Sequence, residues 1–202
     1  EAAKLIASDK LGKVTVARAF DTTNMFPLGI GKAVPSDPPA DLDWEMWLGP
    51  RPSRPFQATI APFKFRWWDL YATRYSDNGV HFIDIMRWLT GDEIAPTKIT
   101  ALGGQFVIDD DRTTPDVMEG MFQFPSGRLL IFGQYETSGN RALPRPAFAE
   151  FRGTQGALYV RDDGYEILPE RGGRYQAERE ARVEPMNKDL PEGYAQHVRD
   201  HT

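Results

Sequence analysis

The sequence contains no cysteine among its 202 residues. Disulfide bonds are therefore excluded, and so are metal sites built from thiolates. Histidine is also scarce, because the chain has only three, His81, His197 and His201. Structural and catalytic zinc sites usually combine several imidazole or thiolate ligands. We therefore expect no metal in this protein.

The chain also lacks an excess of positive charge and any long apolar segment. It has 24 lysines and arginines against 29 acidic residues, which gives a formal net charge of −5. Binding to nucleic acid or to an anionic membrane needs basic groups to meet the phosphates, so neither partner is expected. No apolar run approaches the roughly 18 residues that span a bilayer. The length is sufficient for one domain with a core of its own.

Both ends of the sequence predict a piece of a longer protein. There is no initiator Met, and the first residues predict a helix that stops at Gly12. The last residues, PEGYAQHVRDHT, are typical of a helix that has just begun. A targeting segment would precede residue 1. We expect a cytoplasmic protein, and export to a periplasm stays open.

Alternation of apolar and polar residues predicts strands before and after one central helix. The first is KVTVARAF, after Gly12. The others follow Gly91, and the segments are TKITALGG, QFVI, VMEGMFQF, RLLIFGQYE, AFAEFRG, ALYV and YEIL. Residues 125–127 and 161–164 are typical hairpin turns. Residues 169–192 are charged and predict an exposed edge or loop.

This order of elements predicts an α+β fold, a mostly antiparallel sheet with helices on one face. The two strands around residues 125–127 carry apolar side chains on both faces, namely Met118, Met121, Phe122, Leu130 and Phe132. A sheet with one face in water alternates more cleanly. We therefore expect a homo-oligomer that associates through the second face.

A long irregular segment, residues 21–62, contains eight of the sixteen prolines. Loops of this length inside a domain are usually functional or wrap a neighbour. One short helix is predicted inside it, with Asp43 as N-cap and a stop at Gly49. Trp44 and Trp47 are three residues apart, so they should share a face and anchor the loop.

The segment YSDNGVHFIDIMRW, residues 75–88, predicts a helix from about Asp77 to Gly91 with polar groups on one stripe. Asp77, His81 and Asp84 recur at spacings of four and three, so they lie on one side. In one interpretation Asp77 is a helix cap, Asp84 is solvated or paired with Arg87 or Lys64, and a semi-buried His81 belongs to the core. In the other interpretation the stripe lines a site.

The site interpretation has defined chemistry. Imidazole can take or give a proton near neutral pH, and a carboxylate one turn earlier can hold its tautomer. Such a pair suits proton transfer with a hydroxyl or carbonyl oxygen. No serine or cysteine nucleophile has a recognisable motif, and there is no G-x-G-x-x-G sequence, so the chain contains no nucleotide-binding half-fold.

Several segments resemble one protein family. LDWEMWLGPRPSRPF, then FRWWDLY and SDNGVHFIDIMRWLTG, resemble the C-terminal domain of the glucose–fructose oxidoreductase and inositol dehydrogenase family. EAAKLIASDKLGKVTVARAF resembles the junction between that family's two domains. FRGTQGALYV resembles a late strand-turn-strand, and HVRDH the start of the final helix. The resemblance covers most of the chain.

The resemblance implies a role for each residue of the stripe. Asp77 and His81 match the family's D-x-x-x-H pair, which faces the nicotinamide of NAD or NADP. His81 would accept the proton of a sugar hydroxyl, and Asp77 would orient the substrate and His81. The lysine of the family's E-K-P motif would complete the site from outside this sequence. Asp84 matches a position that we interpret as structural.

Arg74, Trp67 and Trp68 are candidates for the substrate side of this site, and the alternative is that they serve packing and surface charge. The family often has glycines where residues 73–75 are Thr-Arg-Tyr, so the local loop geometry should differ. Residues 1–12 would be the tail of the nucleotide-binding domain, and residues 13–202 the second domain, truncated at both ends. The Rossmann domain would be absent from this sequence.

The implied function is the substrate-binding and catalytic half of an NAD(P)-dependent oxidoreductase acting on a sugar, sugar derivative or polyol. Alone, the fragment would be inactive. Two alternatives stay open at this point. One is an NAD-dependent glycosidase of the same fold, and the other is a non-catalytic module that binds carbohydrate or assembles subunits.

Overall fold

A computed structural model describes residues 1–170 and 186–189. The helices and strands are α1 Ala2–Ala7, β1 Val14–Thr22, α2 Trp44–Leu48, α3 Arg74–Thr90, β2 Lys98–Gly104, β3 Val117–Gln123, β4 Leu129–Tyr135, β5 Ala149–Gly153, β6 Gly156–Arg161, β7 Gly164–Pro169 and β8 Met186–Asp189. Short 3₁₀ turns lie at Asp9–Leu11 and Lys64–Trp67. The described residues contain no helix that is both long enough and apolar enough to cross a bilayer.

The strands form one sheet in the order β2-β3-β4-β1-β5-β6-β7-β8. Every neighbouring pair is antiparallel except β1 and β4, which run parallel. The predicted α+β fold is thereby confirmed, as are the hairpins at residues 125–127 and 161–164. Strand β8 lies at the sheet edge, within the stretch predicted to be an edge or loop. Residues 171–185 and the predicted C-terminal helix lie outside the described residues.

One predicted strand, QFVI at residues 105–108, is wrong. These residues wrap around the carboxylate of Asp116, which accepts the backbone N–H groups of Phe106, Val107 and Ile108 at 2.9 to 3.0 Å. Those N–H groups are therefore not available to a neighbouring strand. Burial alone would raise the pKa of Asp116, but the three N–H groups lower it below its usual range.

Helices α1 and α3 cover one face of the sheet, as predicted. Ala17 and Ala19 of β1 lie beside Leu130 and Phe132 of β4 and are fully buried with them. The approach of α3 is close, because a Cβ built on Gly79 would lie 2.8 Å from the Phe132 ring. A glycine at this helix position thus lets the backbone rest on the sheet. Leu5 and Leu11, from residues 1–12, join the same core.

The proline-rich segment has an apolar cluster of its own, here called the loop cluster, made of Ile30, Trp44, Leu48, Phe56, Ile60, Ala61 and Trp68. Asp43 caps α2 by accepting from the N–H of Met46 at 2.9 Å, as predicted. Trp44 and Trp47 stack with their ring centroids 4.9 Å apart, which confirms their shared face. Burial of these rings stabilises a segment with little regular structure.

The second face of the sheet mixes a buried charge with exposed apolar side chains. Glu150 on β5 is fully buried there, because Arg18, Arg152 and the hydroxyl of Tyr159 surround its carboxylate. Burial raises the pKa of Tyr159 to about 12, and Glu150 adds to the shift. Towards β2, by contrast, Leu102 is 81% exposed.

Candidate active site

The first turn of α3 is fixed by a reciprocal cap. The Thr73 hydroxyl accepts from the N–H of Ser76 at 2.8 Å, and the Ser76 hydroxyl accepts from the N–H of Thr73 at 3.0 Å. This capping box starts the helix at Arg74, not at Asp77 as predicted. Asp77 therefore lies inside the first turn, and the interpretation of Asp77 as the N-cap is wrong. The helix ends at Gly91, with φ 70°, as predicted.

Asp77 is held by an arginine from the preceding 3₁₀ turn. Its Oδ2 accepts from Nε of Arg66 at 2.6 Å, and both side chains are about one quarter exposed, at 26% and 29%. Within the described residues Asp77 makes no hydrogen bond to His81. Arg66 was not predicted as a site residue, although it belongs to the same FRWWDLY segment as Trp67 and Trp68.

His81 is exposed, so the prediction of a semi-buried histidine is wrong. Its apolar neighbours diverge, because Phe82 and Ile83 pack against the core while Val80 is 56% exposed. The imidazole lines an open groove of about 720 Å³. Such a group can exchange a proton with a molecule bound there.

The groove runs between α1 and α3 and is mostly apolar. It is lined by Ala2, Ala3, Phe82, Ile85, Trp88 and Leu89, among others. Trp88, which continues the His81 stripe by two turns, is 74% exposed. An exposed apolar strip beside a histidine offers a flat contact surface to a ring or to another part of a protein.

Asp84 is exposed and makes neither of the ion pairs considered for it. Arg87 instead donates to the carbonyls of Asp92 and Glu93, both at 3.0 Å, and Lys64 donates to the carbonyl of Ile30 at 2.8 Å. Both cations are thus engaged with backbone oxygens near helix or loop ends. Among the described residues, no side-chain hydrogen bond or ion pair joins Asp84 to a site residue.

Arg74 and Trp67, two of the predicted substrate-side residues, meet below the first turn of α3. Nε of Arg74 donates to Asp21 at 3.1 Å and lies 4.0 Å from Glu136, while the indole N–H of Trp67 donates to both oxygens of Glu136 at 2.9 Å. The guanidinium also lies over the Trp67 ring, 5.9 Å from its centroid. Asp21 additionally accepts from the Asn78 amide at 2.7 Å.

Trp68, the third predicted substrate-side residue, is buried in the loop cluster. It is 7% exposed, and its indole N–H donates to the carbonyl of Thr59 at 2.7 Å. Trp68 therefore differs from His81, which is exposed, and from Asp77, which is partly exposed. Its position explains the packing of the loop and leaves little surface for a ligand.

Arg74 and Trp67 contact a buried group of charged residues. This group, Asp110, Arg112 and Glu136, is here called the Glu136 network together with Trp67. Arg112 donates to Asp110 at 2.9 and 3.0 Å and to Glu136, and all three charged side chains are fully buried. Burial raises the pKa of the Glu136 carboxyl, while Arg112 and Trp67 act to lower it. Burial would lower the pKa of Arg112, but its two carboxylate partners raise it.

Asp110 of the Glu136 network and the adjacent Asp111 also bind the proline-rich segment. Asp110 Oδ2 accepts from the N–H of Ile30 at 2.7 Å, and Asp111 accepts from the N–H of Ala33 and the hydroxyl of Thr59, both at 2.8 Å. The loop and α3 are consequently held in one frame. The described residues contain no group of three or more His, Asp or Glu side chains placed to hold a metal ion.

Comparison with known proteins places this arrangement in a family. A family model described as "Oxidoreductase family, C-terminal alpha/beta domain" matches residues 2–119. No curated protein sequence matches the chain.

Solved structures share the fold at low sequence identity. Levoglucosan dehydrogenase in complex with NADH and L-sorbose is 16% identical, with a TM-score of 0.56, over 96% of this chain and 45% of that one. An oxidoreductase domain protein from Kribbella flavida is 18% identical, with a TM-score of 0.54, over 99% and 51%. The super-repressor mutant of Gal80p from Saccharomyces cerevisiae is 14% identical, with a TM-score of 0.54, over 98% and 47%. The chain thus spans about half the length of these proteins.

Proposed function

The chain belongs to this oxidoreductase family as its C-terminal alpha/beta domain, and from that premise we propose that it is the substrate-binding half of an NAD(P)-dependent enzyme that oxidises a hydroxyl of a sugar, sugar derivative or polyol. The observation that carries the proposal is the exposed imidazole of His81, one turn beyond Asp77 and beside an open groove. The solved complex of levoglucosan dehydrogenase with NADH and L-sorbose supports the choice of substrate class.

His81 is the proton acceptor in this proposal. The substrate hydroxyl gives its proton to the imidazole, the carbon–oxygen single bond becomes a carbonyl, and the hydrogen on that carbon leaves as hydride. The nicotinamide, when bound, supplies the acceptor for that hydride. Asp77 orients the substrate, and its own carboxylate is held by Arg66. Arg74 and Trp67 form the floor of the site and hold it in place.

The cofactor would be held mainly by residues outside this sequence. The chain has no G-x-G-x-x-G loop to hold a pyrophosphate at a helix N-terminus. Its own residues fit the nicotinamide end, because His81 is accessible and the neighbouring Ile85 and Trp88 offer exposed apolar surface. The choice between NAD and NADP would be made by the nucleotide-binding domain.

A second copy of the chain would cover the open face of the sheet. Leu102 and Met121 are exposed on that face at 81% and 37%, and burial of such side chains favours association. Glu150 already has its partners within the chain, so this part of the face presents no unpaired buried charge to a second subunit.

The test joins cofactor binding to product analysis. The 202-residue chain alone should show no submicromolar binding of NADH, whereas the protein that joins it to its nucleotide-binding domain should bind NADH and oxidise members of a sugar and polyol panel. Net formation of NAD(P)H supports a dehydrogenase. Cleavage of glycosides without net NAD(P)H would indicate a glycosidase, and sugar binding with neither reaction a non-catalytic module.

A further inference from the structure

The Arg66–Asp77 pair leaves one donor edge and one acceptor free beside each other. Arg66 uses Nε for Asp77 at 2.6 Å and one N–H of Nη1 for the carbonyl of Phe63 at 3.2 Å. Within the described residues, the other end of its guanidinium and Oδ1 of Asp77 make no hydrogen bond. A planar cation and a carboxylate in this arrangement can donate to one hydroxyl and accept from the next.

The pair lies within reach of a molecule that contacts His81. Asp77 is four residues before His81 on α3, so the two Cβ atoms are neighbours on the helix surface. Arg66, bound to Asp77, is 29% exposed and so is open to a ligand. Its ring contact with Phe65, 5.1 Å from the centroid, helps to keep the guanidinium in place.

The arginines around this site already have anionic partners. Arg66 pairs with Asp77, Arg74 with Asp21, and Arg112 with both Asp110 and Glu136. Lys64, on the same 3₁₀ turn as Arg66, is directed to the carbonyl of Ile30. On this chain's side of the site, a carboxylate or phosphate on the substrate would need a cation that is not already neutralised. It would also meet the charge of Asp77 at short range.

We infer that Arg66 is a specificity residue: with Asp77 it binds two neighbouring hydroxyl groups of an uncharged sugar or polyol and disfavours sugar acids and sugar phosphates. This inference rests on the proposed function, since it names the substrate class of the same site. The expected substrate is therefore neutral and carries two adjacent free hydroxyls.

The experiment compares two ligands that differ by one charge. The ligands are the neutral sugar with the highest kcat/KM in the panel and its uronate, and binding is measured by calorimetry with NADH present. Wild type should favour the neutral sugar. In Asp77→Asn, Arg66 loses its anionic partner, so the affinity ratio should move by about tenfold towards the uronate. In Arg66→Gln both ligands should bind more weakly, the uronate more so, because Asp77 is then unpaired.

Two further variants serve as controls. Asp109→Asn removes the partner of Lys32 at an exposed pair of 2.7 Å elsewhere on the surface, and it should leave the ratio unchanged. Arg66→Lys keeps the charge but loses the planar fork, so the affinity for the neutral sugar should fall while the selectivity by charge is retained.

The outcomes separate this inference from the proposal on which it rests. A wild-type enzyme that oxidises sugars but binds the uronate as tightly as the neutral sugar would overturn the role of Arg66 and leave the dehydrogenase intact. So would an unchanged ratio in a folded Asp77→Asn protein. A wild-type protein that neither binds nor oxidises any sugar would overturn the proposed function and this inference with it.

Discussion

The first turn of α3 and the two turns that follow it differ in how their polar side chains are held. Near the start of the helix Arg74 and Asn78 both bind Asp21, and Arg74 lies 4.0 Å from Glu136 of the Glu136 network. In the middle of the helix His81 is exposed, and no hydrogen bond to its imidazole is found among the described residues. One helix thus carries a rigid frame at its start and an accessible titratable group in its middle.

This difference follows from what each part has to do. A group that takes a proton from a bound molecule must be reachable, and a permanent partner would compete for its lone pair. The groups that position it must instead hold one geometry against thermal motion, which buried and fully paired charges do well. Substitution of His81 should therefore lower activity and leave stability nearly unchanged. Substitution in the buried network should lower the free energy of unfolding.

The largest effect is expected at His81, the accessible group in the middle of α3. In the complete enzyme, His81→Ala should lower the turnover number by about 10²–10⁴-fold, because it removes a general base. Since the side chain is exposed, the free energy of unfolding should change by no more than about 0.5 kcal/mol. Steady-state kinetics and urea titration of the same preparations measure both quantities.

The pH profile supplies the control for His81→Ala. Oxidation needs a neutral imidazole, so kcat/KM should fall at low pH in the wild type. That low-pH limb should vanish or move in the variant, while the affinity for NADH stays nearly unchanged. Wild-type turnover with an unchanged limb would contradict the assignment and return His81 to the role of a surface residue.

The rigid frame should be broken most strongly at Arg112. Arg112→Ala leaves the carboxylates of Asp110 and Glu136 buried without their cation, and breaking such a pair costs about 3–5 kcal/mol of stability. Urea titration should show a lower midpoint. As a matched control, Lys32→Ala at the exposed pair with Asp109 should cost less than about 1 kcal/mol. Equal losses in the two variants would count against a structural role for the network.

The stripe of α3 could be predicted from the sequence, whereas the Glu136 network could not. Helical spacing alone put Asp77, His81 and Asp84 on one side of α3, and alternation located seven of the eight predicted strands. The Glu136 network, however, joins residues 67, 110, 112 and 136, which are far apart in sequence and follow no period. Only the tertiary fold brings them together.

The errors at residue level have equally local causes. The helix starts three residues before the predicted start. Its cap at Thr73 uses Ser76 at N3, where the usual motif has Glu or Gln. The QFVI strand failed because one carboxylate, that of Asp116, takes three backbone N–H groups. His81 was expected to be semi-buried from its apolar neighbours, yet one of them, Val80, is itself exposed.

The smallest effect is expected at Asp84, which lies on the same stripe as His81 and tests whether the stripe or the single imidazole matters. Asp84 is exposed, and Arg87 and Lys64 are directed to backbone carbonyls instead. Asp84→Asn keeps the shape of the side chain and removes its charge. In the complete enzyme it should change turnover by less than about twofold, or ~0.4 kcal/mol of barrier, and stability by less than about 0.5 kcal/mol. A loss in turnover comparable to that of His81→Ala would mean that the charge of Asp84 acts on the proton transfer through the neighbouring turn. His81 would then work as part of a carboxylate–imidazole pair with Asp84. The imidazole would in that case be restrained by a neighbouring carboxylate, although the described part of the structure shows no hydrogen bond between the two side chains.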